Sequence, residues 1–157
     1  MSTGIERPVE LAPDRVRALL PAKRGALLLP MTPQPRMEDR QRRALSGALL
    51  ELGMYFSDDT DAVDLIDLAF REGVLPDLRC PWGRGGDVLW CREPWAQVGR
   101  HWRYCNRDAR KGDDLVWLPA ARMPRAAARL VLKIEDVGIA RDADGRFAWC
   151  LAVEVRR

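Results

Sequence analysis

The clearest periodic signal lies in the C-terminal third of the chain. Phe147, Trp149, Leu151, Val153 and Val155 alternate with Ala148, Cys150, Ala152 and Glu154, the period-two pattern of a half-buried strand. Ala128–Ile139 is rich in leucine, valine and isoleucine and predicts the strand before it, with Asp144-Gly145 as the hairpin turn. Helical spacing governs the region upstream. Glu38–Leu52 gathers Ala44, Leu45, Ala48, Leu49 and Leu52 on one stripe, leaves Arg40, Arg42 and Arg43 outside it, and stops at Gly53. A second helix is expected within Ser57–Gly73. Ser57 to Thr60 offer caps, Asp61 and Asp64 suit the positive end of the dipole, and Ala62, Ile66, Ala69 and Phe70 form the apolar stripe. Gly73 and then Pro76 end it.

Shorter elements flank these. Asp14 caps a helix over Arg15–Leu20 that Pro21 terminates, Gly25–Leu29 reads as a short buried strand, and Pro30, Pro33 and Pro35 impose an extended connector. Cys80–Gly86 is turn material, with Gly83, Gly85 and Gly86 able to take positive φ. Asp87–Glu93 follows as a strand with Val88, Trp90 and Arg92 on one face, and Leu89, Cys91 and Glu93 on the other; Pro94 ends its pairing. Residues 97–114 read as a long polar loop and residues 1–12 as a loose lead-in.

A chain of 157 residues fits one domain, 1–157, with the helical stretch 38–72 inserted in it. A chain this long buries about two-thirds of its unfolded surface and needs neither disulfide nor metal to hold a core. No apolar run approaches the roughly 18 residues that cross a bilayer, and the N-terminus has no secretory apolar region. Cys80, Cys91, Cys105 and Cys150 form no C-x-x-C pair. Reduced thiols in a cytoplasm, with no membrane association, are the expectation. The net charge is +3, and Lys23, Lys111 and Lys133 are the only lysines among 26 basic residues. Arginine suits planar recognition of carboxylate and phosphate, yet it is also the habit of GC-rich genomes, and +3 alone does not point to nucleic acid.

Two stretches carry a resemblance. Cys80–Ala96, CPWGRGGDVLWCREPWA, is similar to the CPYGxPGDxLWVRExWA signature of a family found in phages and prophages. Trp117–Ile139, WLPAARMPRAAARLVLKIEDVGI, resembles its WRPSIHMPRxASRIxLEVTxVRV segment. The opening, VRALLPAKRGALLLPMTPQP, and the closing strand, RFAWCLAVEVRR, also line up, so the likeness covers well over half the chain in order. That family is the ASCH group of the PUA-like superfamily. The resemblance implies an α+β fold: a small, mostly antiparallel β-barrel with helices packed at its ends. It also implies recognition of RNA, single-stranded nucleic acid or a modified nucleotide.

One small branch of the group hydrolyses an acetylated cytidine, using a K-T-x-T set and a glutamate from an excursion after the central strand. Here that set becomes Arg24-Gly25-Ala26-Leu27, and no hydroxyl stands beside Lys23. An arginine does not surrender its proton near neutral pH. The excursion is missing as well, so a non-catalytic binding module without cofactor is the expectation. A hydrolase of modified nucleosides using Glu93 as acid or base, and a degenerate structural or protein-interaction domain, are the alternatives.

Arg92, Glu93 and Trp95 match the R-E-x-W of the signature. Either they form a polar pair with an indole on which a base stacks, or Glu93 pairs with Arg122, Arg125 or Arg129 as a lock and Trp95 is core. Arg122 and Arg125 beside Met123-Pro124 could hold phosphate, with Lys23 and Arg24 at the rim. Trp82, Trp90, Trp102, Trp117 and Trp149 could line a base-sized pocket, although aromatics more often serve the core. His101 with Cys80, Cys91 and Cys105 matches no standard zinc spacing, and Gly83–Gly86 is not a phosphate loop because no G-K-[ST] follows.

Overall fold

The computed structural model describes residues 4–104 and 115–156. The fold is α+β. Its strands are β1 (Glu6–Glu10), β2 (Arg24–Pro30), β3 (Val88–Arg92), β4 (Trp95–Val98), β5 (His101–Tyr104), β6 (Val131–Arg141) and β7 (Phe147–Arg156). Its α-helices are α1 (Pro13–Leu19), α2 (Asp39–Glu51) and α3 (Ala62–Arg71). Five strands form one sheet in the order β1-β3-β6-β7-β2, while β4 and β5 make a separate two-stranded ribbon. β1 is parallel to β3, and β3 is antiparallel to β6. Lys23 C=O accepts from Val155 N–H, and Phe147 C=O from Met31 N–H, so β2 runs antiparallel to β7.

The sheet is therefore mainly antiparallel, but its ladder is open. A barrel requires the first and last strands to pair, and no ladder joins β1 to β2 among the described residues. The closed barrel that the resemblance implies is not among these pairings: β1, read from the sequence as part of a loose lead-in, occupies one edge and β2 the other.

The chain divides into two compact units. The first comprises Met1–Gly25, Trp82–Glu135 and Ala152–Arg157. Its N-terminal strand is anchored by the buried carboxylate of Asp87. This group accepts from Ile5 N–H (3.0 Å) and Arg84 N–H (3.2 Å), and pairs with Arg7 Nη1 (2.9 Å). Pro8 lacks a donor, which an edge strand tolerates. Gly83 closes the turn at φ +120°, and a Cβ there would lie 2.6 Å from the Asp87 carboxylate, so both the backbone angle and the space demand glycine. Gly86 also has positive φ, whereas Gly85 does not; it instead lies close against the Glu135 carbonyl.

The second unit comprises Ala26–Pro81 and Asp136–Leu151 and contains the helical stretch 38–72. Asp61, rather than a residue of 57–60, caps α3 by accepting from Val63 N–H, and its carboxylate also pairs with Arg141 (2.6 Å). Asp67 on α3 accepts from Ile139 N–H of β6 at 2.7 Å. Phe70 meets Trp149 edge-on with centroids 5.2 Å apart. Gln34 ties the connector to β7 by donating to the Met31 and Phe147 carbonyls and accepting from Phe147 N–H, each at 2.8 Å. α1 begins one residue before the expected Asp14 cap, with Pro13 in its first turn. Residues 95–104, expected to lie mainly in a loop, form the β4–β5 ribbon around Gly99; the rest of that expected loop, 105–114, lies outside the described residues. Among the described residues no helix is long and apolar enough to cross a membrane.

Backbone bonding, chiefly from Ile5 N–H, holds the Asp87 carboxyl below the usual carboxylate range despite its burial. A depressed folded-state pKa stabilises the fold above the unfolded value and loses that contribution as pH falls through the folded one. Asp87→Ala should cost about 1–3 kcal/mol by stranding its donors, and acid should release β1 first. Urea unfolding of the variant, and hydrogen exchange at residues 5–10 as pH is lowered, measure both effects.

Candidate functional site

In β3, Leu89, Trp90 and Cys91 are all buried, so both faces of the strand are covered. The chain beyond it turns Glu93 inward. Glu93 is only 1% exposed, and Arg129 grips both its oxygens, Nη2 to Oε1 at 2.7 Å and Nε to Oε2 at 2.9 Å. The Arg129 guanidinium lies 4.3 Å from the Tyr104 ring centroid, and the Tyr104 hydroxyl donates to the Ala127 carbonyl at 2.7 Å. Of the two uses open to Glu93, the lock is the one built. Both oxygens of the buried carboxylate are taken up by the Arg129 guanidinium.

Trp95 is likewise core. It is 7% exposed, packs with Met123 and Ala127, and lies 5.4 Å from the Trp102 ring centroid. Paired backbone bonds join Trp95 to Leu118, at 3.2 and 2.8 Å. The R-E-x-W strand end and the Met-Pro-Arg segment are therefore neighbours. A stacking platform at Trp95 is not formed, because its indole is enclosed by those same neighbours.

Arg92 is different. Neighbouring residues on an extended chain face opposite ways, so Arg92 turns away from Glu93, and its guanidinium lies 4.8 Å from the Trp90 ring centroid. Four arginines among the described residues are half-buried: Arg7, Arg42, Arg92 and Arg129. Arg7 holds Asp87, Arg42 holds the Asp58 and Thr60 carbonyls, and Arg129 holds Glu93. Among the described residues Arg92 has no acceptor, and its Nε is buried. The buried indole N–H groups of Trp82 and Trp95 also lack acceptors among the described residues. Buried donors are rarely left unpaired in this way.

The remaining sequence candidates are dispersed. Arg122 is exposed on a 3-10 turn, and exposed Arg125 pairs with Glu6 at 3.2 Å. Trp117 is half-buried. Lys23 is exposed and Arg24 pairs with Glu135 at 3.3 Å. Glu135 also adjoins Gly85, which precedes β3, whereas Arg92 ends that strand. About 13 Å of strand, four residues at roughly 3.3 Å each, therefore separates the level of Arg24 from that of Arg92. Lys23 and Arg24 do not rim the Arg92 end.

Tyr104, which covers Arg129, was missed because its stretch reads as loop; the alternation of Trp102 and Tyr104 with exposed His101 and Arg103 is the signal that could have revealed it. Burial, and then the charge of Glu93, push the Cys91 thiol up to about 12, which disfavours the thiolate a metal would need. His101 is exposed, and Cys105 lies outside the described residues.

Removing one partner from a buried ion pair strands the other charge and costs about 3–5 kcal/mol. Arg129→Ala should fall in that range, and Glu93→Leu with Arg129→Met should recover much of the loss. Urea-denaturation midpoints across the cycle measure the difference. Comparison with protein-family models, with curated protein sequences and with solved structures gives no match.

Proposed function

We propose that the first unit is a non-catalytic binding module for a phosphate-bearing partner: RNA, single-stranded nucleic acid or a modified nucleotide, as its resemblance to ASCH domains implies. The observation that carries this reading is Arg92, a half-buried residue whose guanidinium is backed by an indole and lacks an acceptor among the described residues. Guanidinium matches phosphate and nucleobase oxygens with a planar fork of donors. Arg122, exposed on the Met-Pro-Arg segment that packs against Trp95, has no carboxylate partner among the described residues. Arg125 contributes less, since Glu6 already holds it. The closure of Glu93 by Arg129 favours binding over acid–base catalysis.

Fluorescence anisotropy with labelled single-stranded RNA and DNA, together with competition by nucleotides, tests the proposal. Affinity should fall as salt rises, by about 0.7 in the log–log slope for each phosphate contacted on a single strand. Arg92→Gln should weaken binding roughly ten- to hundredfold, from the ~1.5–3 kcal/mol of a hydrogen bond to a charged group. Undetectable binding of all these ligands at low salt, or full affinity in Arg92→Gln, would refute it.

A further inference from the structure

The second unit contains a hollow of about 510 Å³ with no counterpart in the reading above. Its walls come from α2, α3, the segment that precedes α2 and the turn after α3. Met37, Leu45, Ile66, Leu75 and Leu78 make them predominantly apolar. Hollows of roughly 300–1,000 Å³ with apolar walls and a few placed polar groups are the usual sites of single small molecules.

Three polar side chains break the apolar lining: Gln41, Arg36 and Asp77. Gln41, on the first turn of α2, lines the hollow, yet its Oε1 is shut from solvent and accepts no hydrogen bond among the described residues. An unsatisfied buried acceptor costs about 1–3 kcal/mol, and the terminal torsion of a glutamine side chain is soft. A donor placed in the hollow can therefore draw the amide round and supply the bond that it lacks. Exposed Arg36 and Asp77 also line the hollow with opposite charges, so no single sign of charge is selected.

We infer that this hollow is a binding site for a compact, mostly apolar ring-bearing molecule that donates one hydrogen bond, received by the Gln41 side-chain oxygen. The apolar walls account for the ring, and the unpaired oxygen accounts for the donor. An apolar side chain from a protein partner would fill the walls but leave Oε1 as it is.

Ring alcohols from phenol to 1-naphthol, and their methyl ethers, test the assignment by NMR titration of the isotope-labelled full chain. The alcohols should shift amide signals of residues 35–45 and 75–78. The ethers, of similar shape but without a donor, should bind about tenfold more weakly. Gln41→Leu should bring alcohols and ethers level, and Ala44→Phe, which fills the hollow from α2, should block both. The proposal is overturned if no alcohol binds at millimolar concentration, if ethers bind as well as alcohols, or if the shifts lie elsewhere. A response to an amphipathic helical peptide but to none of the alcohols would overturn it in favour of a protein partner. None of these outcomes touches Arg92, so this site and the nucleic-acid reading stand or fall separately.

Discussion

The Glu93–Arg129 pair is the constraint on which the first unit turns. Two charges removed from water are tolerable only when each satisfies the other with good geometry, and the fork-to-carboxylate contact meets that condition. Its consequences spread outward. Arg129 sits two residues before β6, so the pair joins the end of β3 to the start of its antiparallel neighbour. Tyr104 caps the guanidinium from β5 and reaches back to Ala127, closing the same knot through the ribbon. Trp95 is then enclosed by Met123, Ala127 and Trp102.

That knot also determines which chemistry remains. It withdraws Glu93 from solvent and, by the alternation of an extended chain, sends Arg92 the other way. The preceding arginine is left with the face of Trp90 but no acceptor among the described residues. A structural ion pair and an unpaired guanidinium thus stand side by side in one short motif. This combination supports binding more readily than proton transfer.

The abundance of arginine takes on a different meaning in this setting. Arg7, Arg71, Arg129 and Arg141 each hold an aspartate or glutamate, and several of those carboxylates also receive backbone N–H groups. Asp61, Asp67 and Asp87 act as joints: a helix cap, a helix-to-strand tie and a strand anchor. Part of the positive charge visible in the composition is neutralised by carboxylates of the fold itself. The arginines left over are the informative ones.

The sequence alone determined the elements whose periodicity is local. α2, α3 and the β6–β7 hairpin follow from apolar spacing and from Gly53, Gly73 and Gly145, because side-chain direction repeats along a helix or strand whatever it packs against. It also marked Arg92, Glu93 and the Met-Pro-Arg segment as chemically notable. It did not reveal β1, whose parallel partner lies some eighty residues away and whose anchor is a side chain, Asp87. Nor did it choose between a reactive and a locked Glu93, or expose the hollow beside Gln41. Burial and partnership are properties of groups distant in the chain, and only their convergence in three dimensions decides which charges are neutralised and which are left to bind.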